Sequence, residues 1–130
     1  MTDIDRQFVA AARTYLGVPW MEQGRTRAGV DCIGLVVLAA RDCGLPVPLT
    51  ANYGRMQAYG KMKPLLIEWC DRRGEGGEGI VVLYKNDALL HLGILTGTGT
   101  VIHAYGPNGR VIESGLFFTP MQFWRPKWPF

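Results

Sequence analysis

The 130-residue sequence predicts an α+β fold, with N-terminal helices packed on one side of a five-stranded antiparallel sheet. Two observations carry that prediction. In the first half, apolar residues recur at three- and four-residue steps, which is helical spacing. After Gly79 the texture changes to β-branched and aromatic runs separated by Gly, Asn and Asp turns, which is the pattern of consecutive hairpins. No linker and no internal repeat separates the halves, so residues 1–130 read as one domain.

Ile4, Phe8, Ala11, Ala12, Tyr15 and Leu16 line one face of a first helix from Asp3 to Leu16, capped by Thr2 or Asp3 and ended by Gly17 and Pro19. Val18 to Val30 is a charged, glycine-containing loop. A second helix runs from Cys32 to near Cys43-Gly44, and Pro46 and Pro48 prevent its return. Leu49 to Gly60 fits no single pattern. Met62 to Arg72 suits a short helix with Leu65, Leu66, Trp69 and Cys70 inward, and Arg72 to Gly79 reads as a turn. Strands follow at Ile80–Tyr84, Leu89–Thr96, Thr100–Tyr105, Arg110–Ser114 and Met121–Arg125. Turns are expected at Lys85-Asn86-Asp87, Gly97-Thr98-Gly99 and Pro107-Asn108-Gly109.

Composition excludes several classes. Hydrophobic residues make up 48% and charged residues 19%, which suits a folded core rather than a disordered chain. The net charge is only +3 and no basic run exceeds Arg72-Arg73, so no nucleic-acid partner is expected. The apolar run Ile33–Ala40 is too short for membrane insertion. The N-terminus lacks the features of a signal peptide, so synthesis in the cytoplasm is expected. Cys32, Cys43 and Cys70 are scattered without C-x-x-C spacing, which argues against a disulfide framework.

The chemistry concentrates at Asp31-Cys32. Asp31 is a good N-cap, and Cys32 then stands at the positive end of a helix dipole, which is expected to lower its thiol pKa. His91 opens one strand and His103 closes the next. The short turn between them brings both imidazoles to one edge of the sheet as near cross-strand neighbours. If the Cys32 helix ends at that edge, Cys32 is the nucleophile, His91 its base, and His103 the group that holds His91 in the useful tautomer. Such a dyad gives a bell-shaped dependence of rate on pH. Each residue also has a structural reading, as a small buried hydrophobe or an inert strand-end histidine. A metal site of Cys32, His91 and His103 lacks a fourth ligand, and no metal is expected. Trp20 sits in the loop before Cys32 and is a candidate wall of the site. The aromatic tail Trp124–Phe130 reads either as packing on its own domain or as a docking segment.

The series Tyr15-Leu16-Gly17-Val18-Pro19-Trp20, Asp31-Cys32-Ile33-Gly34-Leu35-Val36, His91-Leu92-Gly93-Ile94 and Ile102-His103-Ala104 resembles the NlpC/P60 family of cysteine peptidases. It is most similar to the small forms borne on the tails of phages and phage-like gene transfer agents. The resemblance spans about Phe8 to Arg125. It implies a papain-like α+β fold and hydrolysis of peptidoglycan stem peptides, usually at the bond from the D-glutamate side chain to the diamino acid, without a cofactor. It implies catalytic roles for Cys32, His91 and His103, an oxyanion contact from the Cys32 N–H, and a substrate-holding role for Asp31. Ile33 stands where many relatives carry serine and Trp20 where many carry tyrosine, so Asp31, Trp20 and Ile33 are the expected substrate-binding positions. The implied partners are the stem peptide and phage-type tail or hub proteins, with action in the target cell envelope from a tail tip. Two rival readings are a catalytically silent tail component and a thiol acyltransferase or amidase on a non-wall substrate.

Overall fold

The computed structural model describes residues 2–49, 59–86, 89–105 and 109–129. The elements in order are α1 (Asp3–Arg13), β1 (Arg25–Thr26), β2 (Gly29–Val30), α2 (Cys32–Asp42), α3 (Tyr59–Trp69), β3 (Cys70–Arg73), β4 (Val81–Asn86), β5 (Leu89–Leu95), β6 (Thr100–Tyr105), β7 (Arg110–Gly115) and β8 (Thr119–Pro126). The architecture is α+β, with helices on one face of an antiparallel sheet. The expected turns at Asp87 and at Pro107-Asn108, and positions 50–58 of the ambiguous stretch, lie outside the described residues.

The sheet has six strands rather than five, in the order β3-β8-β4-β5-β6-β7. The added strand is β3, which pairs with β8 from Cys70↔Pro126 to Arg73↔Phe123. The helix expected to run to Arg72 therefore stops at Trp69, and Cys70 belongs to the sheet. Only Cys70 of this strand is buried; Asp71, Arg72 and Arg73 face solvent, so no apolar alternation announced it. Charged side chains on an edge strand also discourage pairing with another chain.

α2 is the centre of the fold. Eight of its residues are buried, on nearly every side, between α1 and the sheet. Leu35 and Ile33 each contribute roughly 2 kcal/mol by leaving water. Leu92 and Ile94 of β5 and Ile102 and Ala104 of β6 meet α2 from the sheet, and Val81 and Leu83 of β4 join the same core. On the opposite sheet face Val82, Tyr84, Leu95 and Val101 form a second cluster with Phe118 and Phe123. Each sheet strand in this region is thus apolar on both faces.

α1 begins at Thr2 in a capping box. The Asp5 amide donates to Thr2 Oγ1 at 3.4 Å, and the Thr2 amide donates to Asp5 Oδ2 at 3.2 Å. Arg125 Nε donates to the other carboxylate oxygen of Asp5 at 3.1 Å, tying this cap to β8. α1 ends at Arg13, earlier than the apolar spacing suggested, because Thr14 to Gly17 turn out of the helix, with Gly17 at φ 88°. Of the aromatic tail, Trp124 and Trp128 pack on their own domain. The Trp128 ring stands edge-on to Phe8 at 5.2 Å, and the Lys127 amide donates to the Trp69 carbonyl at 2.8 Å. Among the described residues no helix is long and apolar enough to cross a membrane.

Candidate active site

Cys32 is the first residue of α2, and Asp31 is its N-cap. The Gly34 amide donates to Asp31 Oδ1 at 2.7 Å, the Gln23 amide to Oδ2 at 2.8 Å, and Arg25 Nη1 to Oδ1 at 3.2 Å. Asp31 is fully buried. Its carboxylate joins the loop before α2 to the first helical turn. Ile33 is 2% exposed and packed in the core. Trp20 alone among the three expected substrate contacts keeps exposed surface. It is half-buried against the core, bridges to Val30, and its amide donates to the Gly109 carbonyl at 2.8 Å.

The tight joint at Asp31 explains the glycines of this motif. A Cβ on Gly34 would lie 2.1 Å from the Gly24 carbonyl oxygen, and one on Gly24 would lie 2.2 Å from the Gly29 carbonyl oxygen. The loop backbone therefore sits directly on the first turn of α2, leaving no room for a side chain.

The backbone N–H groups of Leu92 and Ile33 lie near the Cys32 sulfur and favour its charged form. The Leu92 amide belongs to the peptide bond that joins it to His91, so the helix end and the start of β5 meet where the sequence placed them. Burial first, and then the neighbouring Asp31 charge, push the Cys32 thiol up to about 12. The expectation of a lowered pKa is corrected. The two N–H groups and Arg25 act in the expected direction but are outweighed by complete removal from water. At that value the sulfur is a neutral thiol at pH 7.

His91 and His103 lie on the sheet face of Tyr84, and His91 is close enough to His103 to contribute to its titration. They are not direct cross-strand neighbours. The β5–β6 register pairs Ile94 with Ile102 and Leu95 with Val101, and a Cβ on Gly93 would lie 3.4 Å from the His103 Cβ. The residue facing His103 is thus Gly93, two positions along from His91. The residue facing His91 is Tyr84, on β4. Its ring lies near-parallel to the His91 ring, with centroids 5.3 Å apart and planes at 20°. The Tyr84 hydroxyl is hydrogen-bonded to His103 Nδ1 at 2.5 Å, and His103 Nε2 to Ser114 Oγ at 2.9 Å. Tyr84 and Ser114 escaped the sequence reading. Counting the hairpin of β4 and β5 could have found Tyr84 opposite His91, whereas Ser114 had no local signal.

His103 is fully buried. Burial and then the nearby His91 press its pKa down to about 4, so it is neutral at pH 7. The sign follows: between pH 6.5 and about 4 the unfolded chain binds a proton that the folded chain refuses. Stability should therefore fall by about 3 kcal/mol over that interval and this contribution should level off below it. Urea unfolding across pH should show the slope in the intact protein and lose it in His103→Asn. Asp5 and Glu113 add a separate loss at lower pH. Burial of Asp5 is offset by hydrogen bonds from Thr2 and Arg125, and Glu113 is held down by Arg13, so both carboxyls sit below their usual values.

No protein-family profile matches the chain. A probable endopeptidase of Mycobacterium tuberculosis is 31% identical over 110 residues, covering 80% of this chain. A probable endopeptidase of Mycobacterium bovis matches to the same extent, and the chain spans about a quarter of the length of these relatives. The NlpC/p60 domain of the peptidoglycan hydrolase SagA superposes with a TM-score of 0.62 at 22% identity, over 92% of this chain and 96% of that one. The fold is that of an NlpC/P60 domain. NlpC2 of Trichomonas vaginalis shares it with a TM-score of 0.69 at 15% identity, over 96% of this chain and 48% of that one. RipD of Mycobacterium tuberculosis, described as a non-catalytic NlpC/p60 protein adapted to peptidoglycan binding, has a TM-score of 0.65 at 17% identity, over 96% and 98% of the two chains. NlpC/P60 domains therefore include members that do not cut. Among the described residues no group of three His, Cys, Asp or Glu side chains is placed to hold a metal ion.

Proposed function

We propose that this NlpC/P60 domain is a cysteine endopeptidase that hydrolyses peptidoglycan stem peptides. The observation that carries the reading is the seat of the Cys32 sulfur, at the start of a rigid core helix and against the peptide that joins His91 to Leu92. SagA is described as a peptidoglycan hydrolase and the mycobacterial relatives as probable endopeptidases, and the two descriptions together support this reading. The bond we assign is that from the D-glutamate side chain to the diamino acid, on the motif resemblance. Carriage on a phage-like tail, and action in the envelope of the target cell, rest on the likeness of the motif series to small tail-borne forms.

In the proposed reaction His91 takes the Cys32 proton as sulfur attacks the scissile carbonyl carbon. The Cys32 N–H, at the start of the helix, faces the forming oxyanion. The C–N bond breaks as His91 passes the proton to the leaving amine. Water, deprotonated by His91, then releases the acyl group and restores the thiol. Because Cys32 and His103 are fully buried and His91 is 7% exposed, the centre must open to admit a peptide. Opening also returns water to the sulfur and removes the burial that now holds its pKa high.

A second reading, binding to the wall without cutting, draws on this closed, protonated sulfur and on the description of RipD. Mass spectrometry of purified peptidoglycan after incubation with the protein separates the two. New stem-peptide fragments that are absent with Cys32→Ala support the peptidase. Sedimentation with the wall and no fragments supports the binder, and fragments from both proteins would refute Cys32 as nucleophile.

A further inference from the structure

We propose that Tyr84 is a positioning residue of this site: its hydroxyl donates to His103 at the head of a one-way chain of hydrogen bonds, and the ring held in that way sets the plane of His91. The kinetic consequence rests on the peptidase reading above, while the geometry does not.

The direction of the chain follows from counting protons, starting at its far end. Ser114 Oγ donates its single proton to the Gly115 carbonyl at 3.1 Å. Toward His103 Nε2, at 2.9 Å, it therefore accepts, so Nε2 carries a hydrogen. Held neutral in its buried site, the His103 ring has only one N–H, which leaves Nδ1 an acceptor. The hydroxyl 2.5 Å from Nδ1, that of Tyr84, is then the donor. Tyr84, His103 and Ser114 each hand one proton forward, and the chain ends on backbone. Reversing any member would put two hydrogens or two lone pairs in contact.

The sheet register makes the reach possible. Tyr84 stands on β4 and His103 on β6, with β5 between them. The position of β5 that faces His103 is Gly93, where a Cβ would lie 2.5 Å from Val101 Cγ2 and 3.4 Å from the His103 Cβ. Without a side chain there, the phenol crosses β5 to the imidazole. Its ring is near-parallel to Phe118, with centroids 3.8 Å apart at 16°, as well as to His91. A ring pinned at its hydroxyl and stacked on its face has one orientation, and His91 inherits it. His103 thus acts on the base through Tyr84.

The test uses the whole chain labelled with 15N at histidine; with two histidines in the sequence, His91→Ala assigns the signals. Long-range 1H–15N correlation at pH 7 should show His103 protonated at Nε2, with Nδ1 shifted by an accepted hydrogen bond. In Tyr84→Phe that Nδ1 signal should move to the position of a free acceptor while Nε2 keeps its proton. On a soluble synthetic stem peptide, Tyr84→Phe should lower kcat about ten-fold and leave KM within about two-fold. Its unfolding midpoint separates this from a loss of fold, because phenylalanine keeps the stack. A His103 protonated at Nδ1 in the unaltered protein overturns the chain of hydrogen bonds, and an unchanged kcat in Tyr84→Phe overturns the positioning role. If the unaltered protein cuts no wall peptide, the functional reading fails and the tautomer alone decides the hydrogen-bond direction.

Discussion

Cys32→Ala is expected to lower hydrolysis of wall peptide by about 10⁴-fold or more, with little change in fold. The variant deletes one sulfur atom from a helix position and substitutes the best helix former. The side chain is fully buried, so any change in stability reflects a small void and the loss of the sulfur from beside the Leu92 and Ile33 amides. No other thiol can replace it. Cys43 caps the opposite end of the eleven-residue α2, roughly 16 Å away along the axis. Cys70 opens β3, which is separated from β5 by β8 and β4. Both are therefore spectators, and Cys43→Ala and Cys70→Ala should retain activity. Circular dichroism and the unfolding midpoint of Cys32→Ala should match those of the unaltered protein, so that the lost rate is chemical.

The second large effect is on folding. Gly34→Ala should destabilise the protein by about 3–5 kcal/mol. Helix propensity alone predicts the opposite sign, a gain near 1 kcal/mol. The added carbon, however, would lie 2.1 Å from the Gly24 carbonyl oxygen, 3.0 Å from Arg25 Nη1 and 3.3 Å from Asp31 Oδ1. Two of these neighbours belong to the cap of α2, and the closest is backbone that cannot rotate away. Either the loop retreats and Asp31 loses its partners, or α2 shifts and carries the sulfur off Leu92. Urea unfolding measures the cost. Gly74→Ala is the matched control, since a Cβ there meets nothing within 4 Å and should be nearly neutral.

Local chemistry made some of this legible in the sequence. Asp31 as N-cap and Cys32 as first helical residue follow from capping rules that need no tertiary partner. The α+β division follows from a change of hydrophobic period. The two-residue offset of His91 and His103 was available by counting outward from a turn centred at Thr98, which sets His103 against Gly93. The strand at Cys70–Arg73 was not available, because one buried residue followed by three exposed charged ones carries no period. Nor was the thiol pKa. The helix dipole is readable from the residues around Cys32, but burial is a property of the assembled core, and here it dominates. The inward turn of Asp31 depends in the same way on Arg25 and Gln23 folding back onto it. Ser114 reaches His103 from β7, and only the assembled sheet brings the two together.

The most direct measurement is to mix the protein with a synthetic stem peptide, quench in acid within the first turnover, and map the acylated residue by mass spectrometry. A thioester on Cys32, with Cys43 and Cys70 unmodified, is the predicted result. Released product with no acyl group on Cys32 at any time would contradict a covalent mechanism at this sulfur.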